Sequence, residues 1–192
     1  MRNIVCLLLI VLFAASSYGQ ESVRVLIETE LGEIQVEVDV AKAPGTAANF
    51  LRYVDENFYD GGQFHRAVTM QNQPNNDVKI EVIQASINEA RKDDRFEPIP
   101  LERTTKTGLL HEDGVVSMAR DEPDSARASF FFCIGDQPEL DFGGARNTDG
   151  QGFAAFGRIT RGMDVVKKIQ MSPREEQRLT PPVRIRSVRR LP

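Results

Sequence analysis

The stretch Phe64-His65-Arg66 places a permanently charged guanidinium beside two aromatic rings on a predicted strand. Two later stretches could face it: Ser117-Met118-Ala119, and the aromatic run Ser129-Phe130-Phe131-Phe132. Aromatic residues on a neighbouring strand can form an apolar wall opposite a cation. We therefore expect the rest of the chain to build a barrel that holds these strands within reach of one another.

Two runs of alternating apolar residues give the clearest secondary-structure signal in the chain. They are Val23, Val25 and Ile27, then Ile34, Val36 and Val38, with the turn Glu30-Leu31-Gly32-Glu33 between them. Alternation with a period of two buries one face of a strand, so the pattern predicts a two-stranded hairpin.

Six further strands and two helices complete the predicted elements. The strands lie near 64–68, 78–84, 114–119, 129–134, 153–159 and 183–188, and the helices near 47–56 and 163–169. The segments 71–77, 87–102 and 142–152 are predicted as loops, the second with a helical turn near 89–92. Eight short strands favour a closed antiparallel β-barrel, because closure removes exposed edges, and two helices would cap its ends.

Composition limits the classes of function. The chain has 192 residues with a formal net charge of -4, 41% hydrophobic residues and 27% charged residues. These values suit one globular domain with a sizeable core, and the acidic balance gives no support to nucleic-acid binding. With two His and no CxxC, HExxH or EF-hand pattern, the sequence predicts no metal site.

Residues 1–19 are predicted to be a signal peptide. Arg2 precedes an apolar run of about twelve residues, and Ser17 and Gly19 suit a cut after Gly19. An uncleaved membrane anchor is the alternative, although the run is short for a bilayer span. Residues 20–192 would then be an exported domain, periplasmic or extracellular, with no membrane span. Cys133, the cysteine left in that domain, is predicted to be a buried apolar residue.

Several motifs, in their order along the chain, resemble those of the cyclophilins, the cyclophilin-type peptidyl-prolyl cis-trans isomerases. They are Ala43-Pro44, Asn49-Phe50-Leu51, Phe58-Tyr59-Asp60-Gly61, Phe64-His65-Arg66, Ile83-Gln84, Val116-Ser117-Met118-Ala119, Ser129-Phe130-Phe131-Phe132, Leu140-Asp141 and Phe153-Ala154-Ala155-Phe156-Gly157. The resemblance implies an eight-stranded closed barrel capped by two helices. It also implies isomerisation of X–Pro bonds without a cofactor, with proline-containing polypeptides as partners. We expect a monomer.

The resemblance assigns roles to individual residues. Arg66 matches the family's catalytic arginine, and Gln84 matches the glutamine that holds and assists it. A guanidinium suits this reaction because it can donate a hydrogen bond to the prolyl nitrogen as the amide twists. The remaining matches predict substrate-binding residues: His65, Met118, Ala119, Phe132, Leu140 and Phe153.

The chain departs from the family pattern around the predicted pocket. A usual Gln-Gly-Gly reads Gln84-Ala85-Ser86, a pocket phenylalanine falls on Glu81, and a pocket glutamine becomes Phe130. Glu139 stands where many eukaryotic members have Trp. These departures leave open a cyclophilin-fold module that binds proline-containing peptides without catalysis. A small-molecule carrier is a third alternative, and it would need an open barrel interior.

Four arginines lie close together near the C-terminus. They are Arg184, Arg186, Arg189 and Arg190. We interpret them as the solvated face of an edge strand, where charge discourages pairing with another sheet. Binding of an anionic partner is the alternative.

Overall fold

The computed structural model describes residues 22–192, so the predicted signal peptide lies outside the described residues. The strands are β1 (Ser22–Thr29), β2 (Gly32–Asp39), β3 (Gln63–Val68), β4 (Val82–Ser86), β5 (Val115–Met118), β6 (Phe130–Cys133), β7 (Ala154–Arg161), β8 (Arg174–Glu175) and β9 (Arg178–Arg190). The helices are α1 (Pro44–Asp55), α2 (Thr104–Thr107) and α3 (Met163–Gln170). Two short 3₁₀ segments span Glu89–Asp94 and Pro138–Leu140.

Eight of the strands close into a barrel. Their order is β1-β2-β7-β5-β6-β4-β3-β9, and β9 pairs again with β1. The pairings are antiparallel, and the two-residue β8 is attached to β9 as a hairpin. The predicted eight-stranded closed antiparallel barrel is confirmed.

The predicted hairpin forms the first two strands of the barrel. Val25 lies opposite Val36 and Ile27 lies opposite Ile34, and all four side chains are buried. Because side chains alternate along a strand, this register turns every second residue of both strands toward the interior.

Aromatic rings fill the barrel interior. The fully buried rings that pack against one another there are Phe50, Tyr59, Phe64, Phe130, Phe132 and Phe156. Phe50 comes from α1, which begins at Pro44, where the missing N–H of proline costs no helical hydrogen bond. The filled interior does not fit the carrier alternative, which requires an open cavity.

Residues 78–81 are not part of a strand, although the sequence predicts one over 78–84. Side chains bind most of their peptide groups, while the Glu81 carbonyl accepts from the Ile134 backbone N–H at 3.0 Å. The backbone N–H of Ile80 donates to the Gln73 side chain at 3.3 Å, and that of Glu81 donates to the Gln137 side chain at 3.1 Å. The strand therefore starts only at Val82.

β9 is longer than predicted and is not an edge strand. It starts at Arg178, contains Pro181 and Pro182, and pairs with β3 on one side and β1 on the other. The edge-strand interpretation of the C-terminal arginines was therefore wrong, although all four are exposed. Arg190 forms a 2.6 Å ion pair with Asp55 and Arg189 lies 4.0 Å from Glu28, which gives two of these cations internal partners.

Two of the three helices correspond to those predicted. α1 and α3 pack against the barrel, whereas α2 is a single turn within a segment that the sequence left without structure. Among residues 22–192, no helix is both long enough and apolar enough to cross a membrane.

Candidate active site

The outer face of β3, β4 and β6 collects the predicted catalytic residues. Arg66 lies opposite Gln84, and Gln84 lies opposite Phe131. Residues on either side of Gln84 in β4, Ile83 and Ala85, point into the filled interior. Alternation therefore turns Gln84 and its two cross-strand neighbours to the outside of the barrel.

Two glutamines hold the Arg66 guanidinium. Its Nη1 donates to the Gln84 side-chain oxygen at 3.0 Å. Its Nε and Nη2 both donate to the Gln177 side-chain oxygen, at 2.9 and 2.6 Å. Gln177 is itself fixed, because its amide nitrogen donates to the Asn72 carbonyl at 3.0 Å. The cation is thus positioned by neutral groups.

Arg66 keeps both its charge and spare donors. Burial lowers the pKa of Arg66 from its ordinary value, but a guanidinium remains protonated at neutral pH. Within residues 22–192, no carboxylate oxygen lies within 4.0 Å of it. A guanidinium has five N–H donors, and the two glutamines occupy three of them. Two donors remain for a ligand.

An apolar cluster lies on the same outer face, and we call it the apolar wall. Its buried members are Val68, Ile80, Val82, Phe131, Cys133 and Leu140, with Ala119 and Phe153 half-buried against them. The rings of Phe131 and Phe153 meet edge to face, with centroids 5.4 Å apart. The half-buried members give this wall an accessible apolar surface close to the strand that carries Gln84.

The structure places two predicted substrate-binding residues inside the barrel. Phe132 is fully buried among Phe64 and Phe130, and Met118 is 1% exposed in the same core. Both predictions were wrong, because these side chains point into the barrel. The neighbouring residues, Phe131 and Ala119, face outward instead. Phe131 is the phenylalanine in the apolar wall.

This register moves the predicted loss of a pocket glutamine from Phe130 to Ser129. Phe130 is a core residue, so the Ser-Gln-Phe-Phe match moves back one position, onto 128–131. Ser129 then occupies the glutamine position, and its hydroxyl donates to Ser86 Oγ at 3.3 Å. Ala85 is fully buried in the core and does not face the site.

Glu81 does not lie in the apolar wall. Its carboxylate accepts a 3.4 Å hydrogen bond from Gln170 on α3, and its neighbour Ile80 supplies the apolar side chain to the wall. The predicted departure at Glu81 therefore puts no charge against the wall.

The other predicted substrate-binding residues lie around Arg66 and the wall. His65 is half-buried beside Arg66, and burial is the main cause that lowers its pKa. Ala119, Leu140 and Phe153 belong to the apolar wall. Their binding roles stay predictions.

Arg120 lies at the accessible edge of the apolar wall, and the sequence did not predict its role. Its guanidinium lies 5.1 Å from the centre of the Phe153 ring and donates to both carboxylate oxygens of Asp149, at 2.7 and 3.0 Å. Its Nε donates to the Gly152 carbonyl at 2.8 Å. Arg120 therefore ties the 142–152 loop to the end of β5. An arginine in a turn-rich segment carries no sequence signal for such a role.

A buried histidine stands behind the apolar wall. His111 Nδ1 lies 2.7 Å from Asp141 Oδ1, and its Nε2 lies 2.9 Å from Ser117 Oγ. Its ring stacks parallel to that of Phe131, with centroids 6.0 Å apart. Ser117 is fully buried, so this Asp-His-Ser chain has no access to a substrate. Its contacts with Phe131 and Asp141 instead hold the apolar wall in place.

A groove of about 350 Å³ adjoins the site on the other side of Gln84. Its lining includes Gln84, Ala119, Arg120 and Ser129. Gln84 and Ala119 therefore border both the site and this groove. The groove provides room for a bound polypeptide on one side of the residue that occupies the site.

Comparison with known families identifies relatives that span most of the chain. The family model for "Cyclophilin type peptidyl-prolyl cis-trans isomerase/CLD" matches residues 24–190. A peptidyl-prolyl cis-trans isomerase of Acinetobacter baylyi is 36% identical over 159 residues, which are 82% of this chain and 77% of the relative. Peptidyl-prolyl cis-trans isomerase A of Dickeya dadantii is 32% identical over 167 residues, 86% of this chain and 80% of the relative.

Solved structures share the fold. A Cryptosporidium parvum cyclophilin-type isomerase superposes with a TM-score of 0.71 at 17% identity, covering 89% of this chain and 98% of its own. The same Cryptosporidium protein crystallised in the presence of the dipeptide Ala-Pro gives a TM-score of 0.68 at 16% identity, covering 88% of this chain and 99% of its own.

Proposed function

The chain belongs to the cyclophilin family of peptidyl-prolyl cis-trans isomerases, and from that membership we propose that Arg66 catalyses X–Pro rotation in exported polypeptides. The observation that carries this proposal is the position of the Arg66 guanidinium. It is charged, held by neutral side chains, and has two N–H donors left on the face of the barrel that bears the apolar wall.

The reaction requires the prolyl nitrogen to leave conjugation. Resonance gives the X–Pro bond partial double-bond character, with a barrier of ~20 kcal/mol and lifetimes of tens of seconds. As the bond twists, the nitrogen lone pair becomes available to a hydrogen-bond donor. The hydrogen bond from a donor to this lone pair is stronger in the twisted state than in either planar state, so the donor lowers the barrier.

Each part of the site has a role in this scheme. The apolar wall holds the proline ring, with Phe153 and Ala119 at its accessible edge. Arg66 donates to the prolyl nitrogen, while Gln84 keeps the guanidinium in place. No proton is transferred and no cofactor takes part. His65 therefore contributes packing beside Arg66 and does not act as an acid or base.

The departures that favoured a non-catalytic binding module have a different explanation in the structure. Glu81 faces α3, while Ala85 and Phe130 lie in the core. None of these three side chains lies in the apolar wall or bonds to Arg66. These three changes therefore do not argue against an active site, and the departure that remains beside it is Ser129, which occupies the glutamine position and borders the adjoining groove.

Export is the part of the proposal that rests on sequence. Residues 1–19 combine a positive start, a short apolar run and small residues before the expected cut. An isomerase beyond the inner membrane would meet polypeptides that fold after secretion. We therefore propose a role in the folding of exported proteins.

Arg66→Ala tests the catalytic assignment. Loss of the donor should lower kcat/KM toward a short X–Pro peptide by about 10²-fold or more, because the donor acts mainly on the transition state. The measurement is a proline-isomerisation assay, with circular dichroism to show an intact fold. Arg186→Ala is the matched control, since Arg186 is an exposed arginine of β9 that lies outside the site.

The control variant should retain the wild-type rate. If Arg66→Ala isomerised the peptide as fast as the wild type, the mechanism would be wrong. If the folded wild type bound the peptide without accelerating its isomerisation, a binding module would be the better description of the protein.

A further inference from the structure

A second, polar pocket is bordered by Arg66, and none of its lining residues belongs to the apolar wall. Its volume is about 860 Å³. It lies between the 71–76 segment and the β8–β9 turn, and its lining includes His65, Arg66 and Arg146. Because Arg66 borders this pocket, a polypeptide bound across the active site would have access to it.

Hydrogen bonds hold the Arg146 side chain in place at this pocket. Its Nη1 donates to the Gln73 side-chain oxygen at 2.8 Å and to the Val78 carbonyl at 2.7 Å. Gln73 is 3% exposed and also bonds the backbone of Thr69 and Ile80. A buried neutral side chain thus fixes Arg146 at the pocket.

The two guanidinium groups repel each other there. Burial lowers the pKa of Arg146, and the charge of Arg66 lowers it further. Within residues 22–192, no carboxylate lies within 4.0 Å of either group. Two like charges therefore line one pocket without an ion-pair partner among the described residues, and an anion in the pocket would relieve their repulsion.

Arg146 has hydrogen-bond donors to offer an anion. It uses only the two Nη1 hydrogens, which leaves three of its five donors, whereas the two spare donors of Arg66 are assigned to the prolyl nitrogen. Glu175 and Glu176 also line the pocket, together with Arg178, but these three side chains belong to exposed residues of the β8–β9 hairpin. Solvent screens exposed charges, so the partly buried arginines dominate the field inside the pocket.

We propose that this pocket binds a carboxylate side chain of the substrate, an Asp or Glu close to the isomerised proline. The inference rests on the proposed function, because the same polypeptide must place its proline against the apolar wall. A planar carboxylate matches the paired donors of a guanidinium. The protein would therefore favour proline bonds with an acidic residue nearby.

Peptides with a single proline test this preference. Each carries either Glu or Gln at one position, from three residues before the proline to three after it, and both ends are blocked. At one or more positions, Glu should raise kcat/KM about fivefold over Gln, the effect of one partly exposed ion pair. In 0.5 M salt the ratio should shrink. The formal net charge of -4 would disfavour acidic peptides, so general charge attraction does not explain such a preference.

Variants at Arg146 assign the preference to the pocket. Arg146→Gln should bring the Glu-to-Gln ratio close to one, whereas Arg146→Lys should keep part of the preference. Arg186→Gln makes the same change in net charge on β9, away from the pocket, and should leave the ratio unchanged. Circular dichroism checks the fold of each variant.

Equal rates for Glu and Gln peptides at all six positions would overturn the inference, as would a preference that survives in Arg146→Gln. If the wild type isomerises no peptide, the proposed function fails instead. NMR titration with the same peptides then still compares the binding of Glu and Gln. Tighter binding of Glu peptides that is lost in Arg146→Gln would support the pocket, and equal binding would reject it.

Discussion

Arg66 is held by two glutamines that lie very differently in the sequence. Gln84 is 18 residues away on the neighbouring strand, whereas Gln177 is 111 residues away in the turn between β8 and β9. The first contact follows from strand pairing, and the sequence motif predicted Gln84. The second depends on how a distant turn folds over the barrel wall, and a single sequence contains no local signal for it.

Gln177 positions Arg66, and Gln177→Ala should show this. Two of the three hydrogen bonds to the guanidinium would be lost. A hydrogen bond to a charged group contributes about 1.5 kcal/mol, which corresponds to about a tenfold lower kcat/KM. The fall should be in kcat, with KM little changed, and is measured by steady-state isomerisation kinetics.

Gln177→Glu tests whether the side chain that holds Arg66 must be neutral. Glutamate keeps an oxygen acceptor for Arg66, but its carboxylate would compete with the substrate for the positive charge. Activity should therefore stay low in this variant. Gln63→Ala removes an exposed glutamine from β3 itself and should have wild-type kinetics. Full activity in Gln177→Glu would mean that charge competition at Arg66 does not affect catalysis.

At the scale of a single element, β6 shows what alternation determines and what it leaves open. Three consecutive phenylalanines must point to alternate faces, so either one or two of them lie in the core. The pattern does not say which. Pairing with β4 and β5 sets the choice, and it turns Phe131 outward. A shift of one residue reverses the face of every side chain, which is why Phe132 was assigned to the wrong side.

The start of β4 shows a similar limit. Val78, Ile80 and Val82 alternate as a strand would, yet only Val82 belongs to one. The backbone before it is bound mainly by the side chains of Gln73 and Gln137. Hydrophobic periodicity does not reveal side chains that substitute for strand pairing.

His111 connects β5 to the segment that carries Leu140, and His111→Ala should destabilise the protein. The change leaves buried Ser117 without its hydrogen-bond partner, and the Asp141 carboxylate keeps the bond from the backbone N–H of residue 111 but loses the one from the imidazole. We expect the free energy of unfolding to fall by about 3 kcal/mol, the sum of a lost charged hydrogen bond and a lost neutral one. Urea denaturation followed by circular dichroism measures this difference.

Ser117→Ala is the matched control for this link, because it removes a single hydrogen bond from the same chain. Its cost should be about 1 kcal/mol. A His111→Ala protein as stable as Ser117→Ala would show that the contact between His111 and Asp141 contributes little.

At the scale of the whole molecule, the barrel could be predicted because local and global signals agree. The β1–β2 hairpin alternates in both strands apart from Leu26, and the cyclophilin motifs occur in family order. Closure of the barrel follows from the need to pair every edge. The polar pocket could not be predicted, because it forms where two loop segments and Arg146 meet. Loop positions depend on contacts that periodicity does not encode.

Barrel closure also bears on export. β1 begins at Ser22, and it pairs with both β2 and β9. Ser22 already contributes to the fold, since it lies opposite Asp39 and its hydroxyl donates to Glu37 at 2.6 Å. A cut after Gly19 would leave two residues before this strand. Processing at that point therefore keeps the closing strand complete.

The full chain, expressed in a Gram-negative host, should yield a periplasmic protein whose intact mass corresponds to a start at Gln20. Leu8→Arg is the informative variant. A charge within the apolar run costs about 2.5–3.5 kcal/mol on insertion, so uncleaved protein should accumulate in the cytoplasm. Recovery of the wild type from the membrane fraction with Met1 still present would contradict cleavage and favour the anchor alternative. In that case the barrel would act at a membrane surface, and its substrates would be chains that emerge beside it.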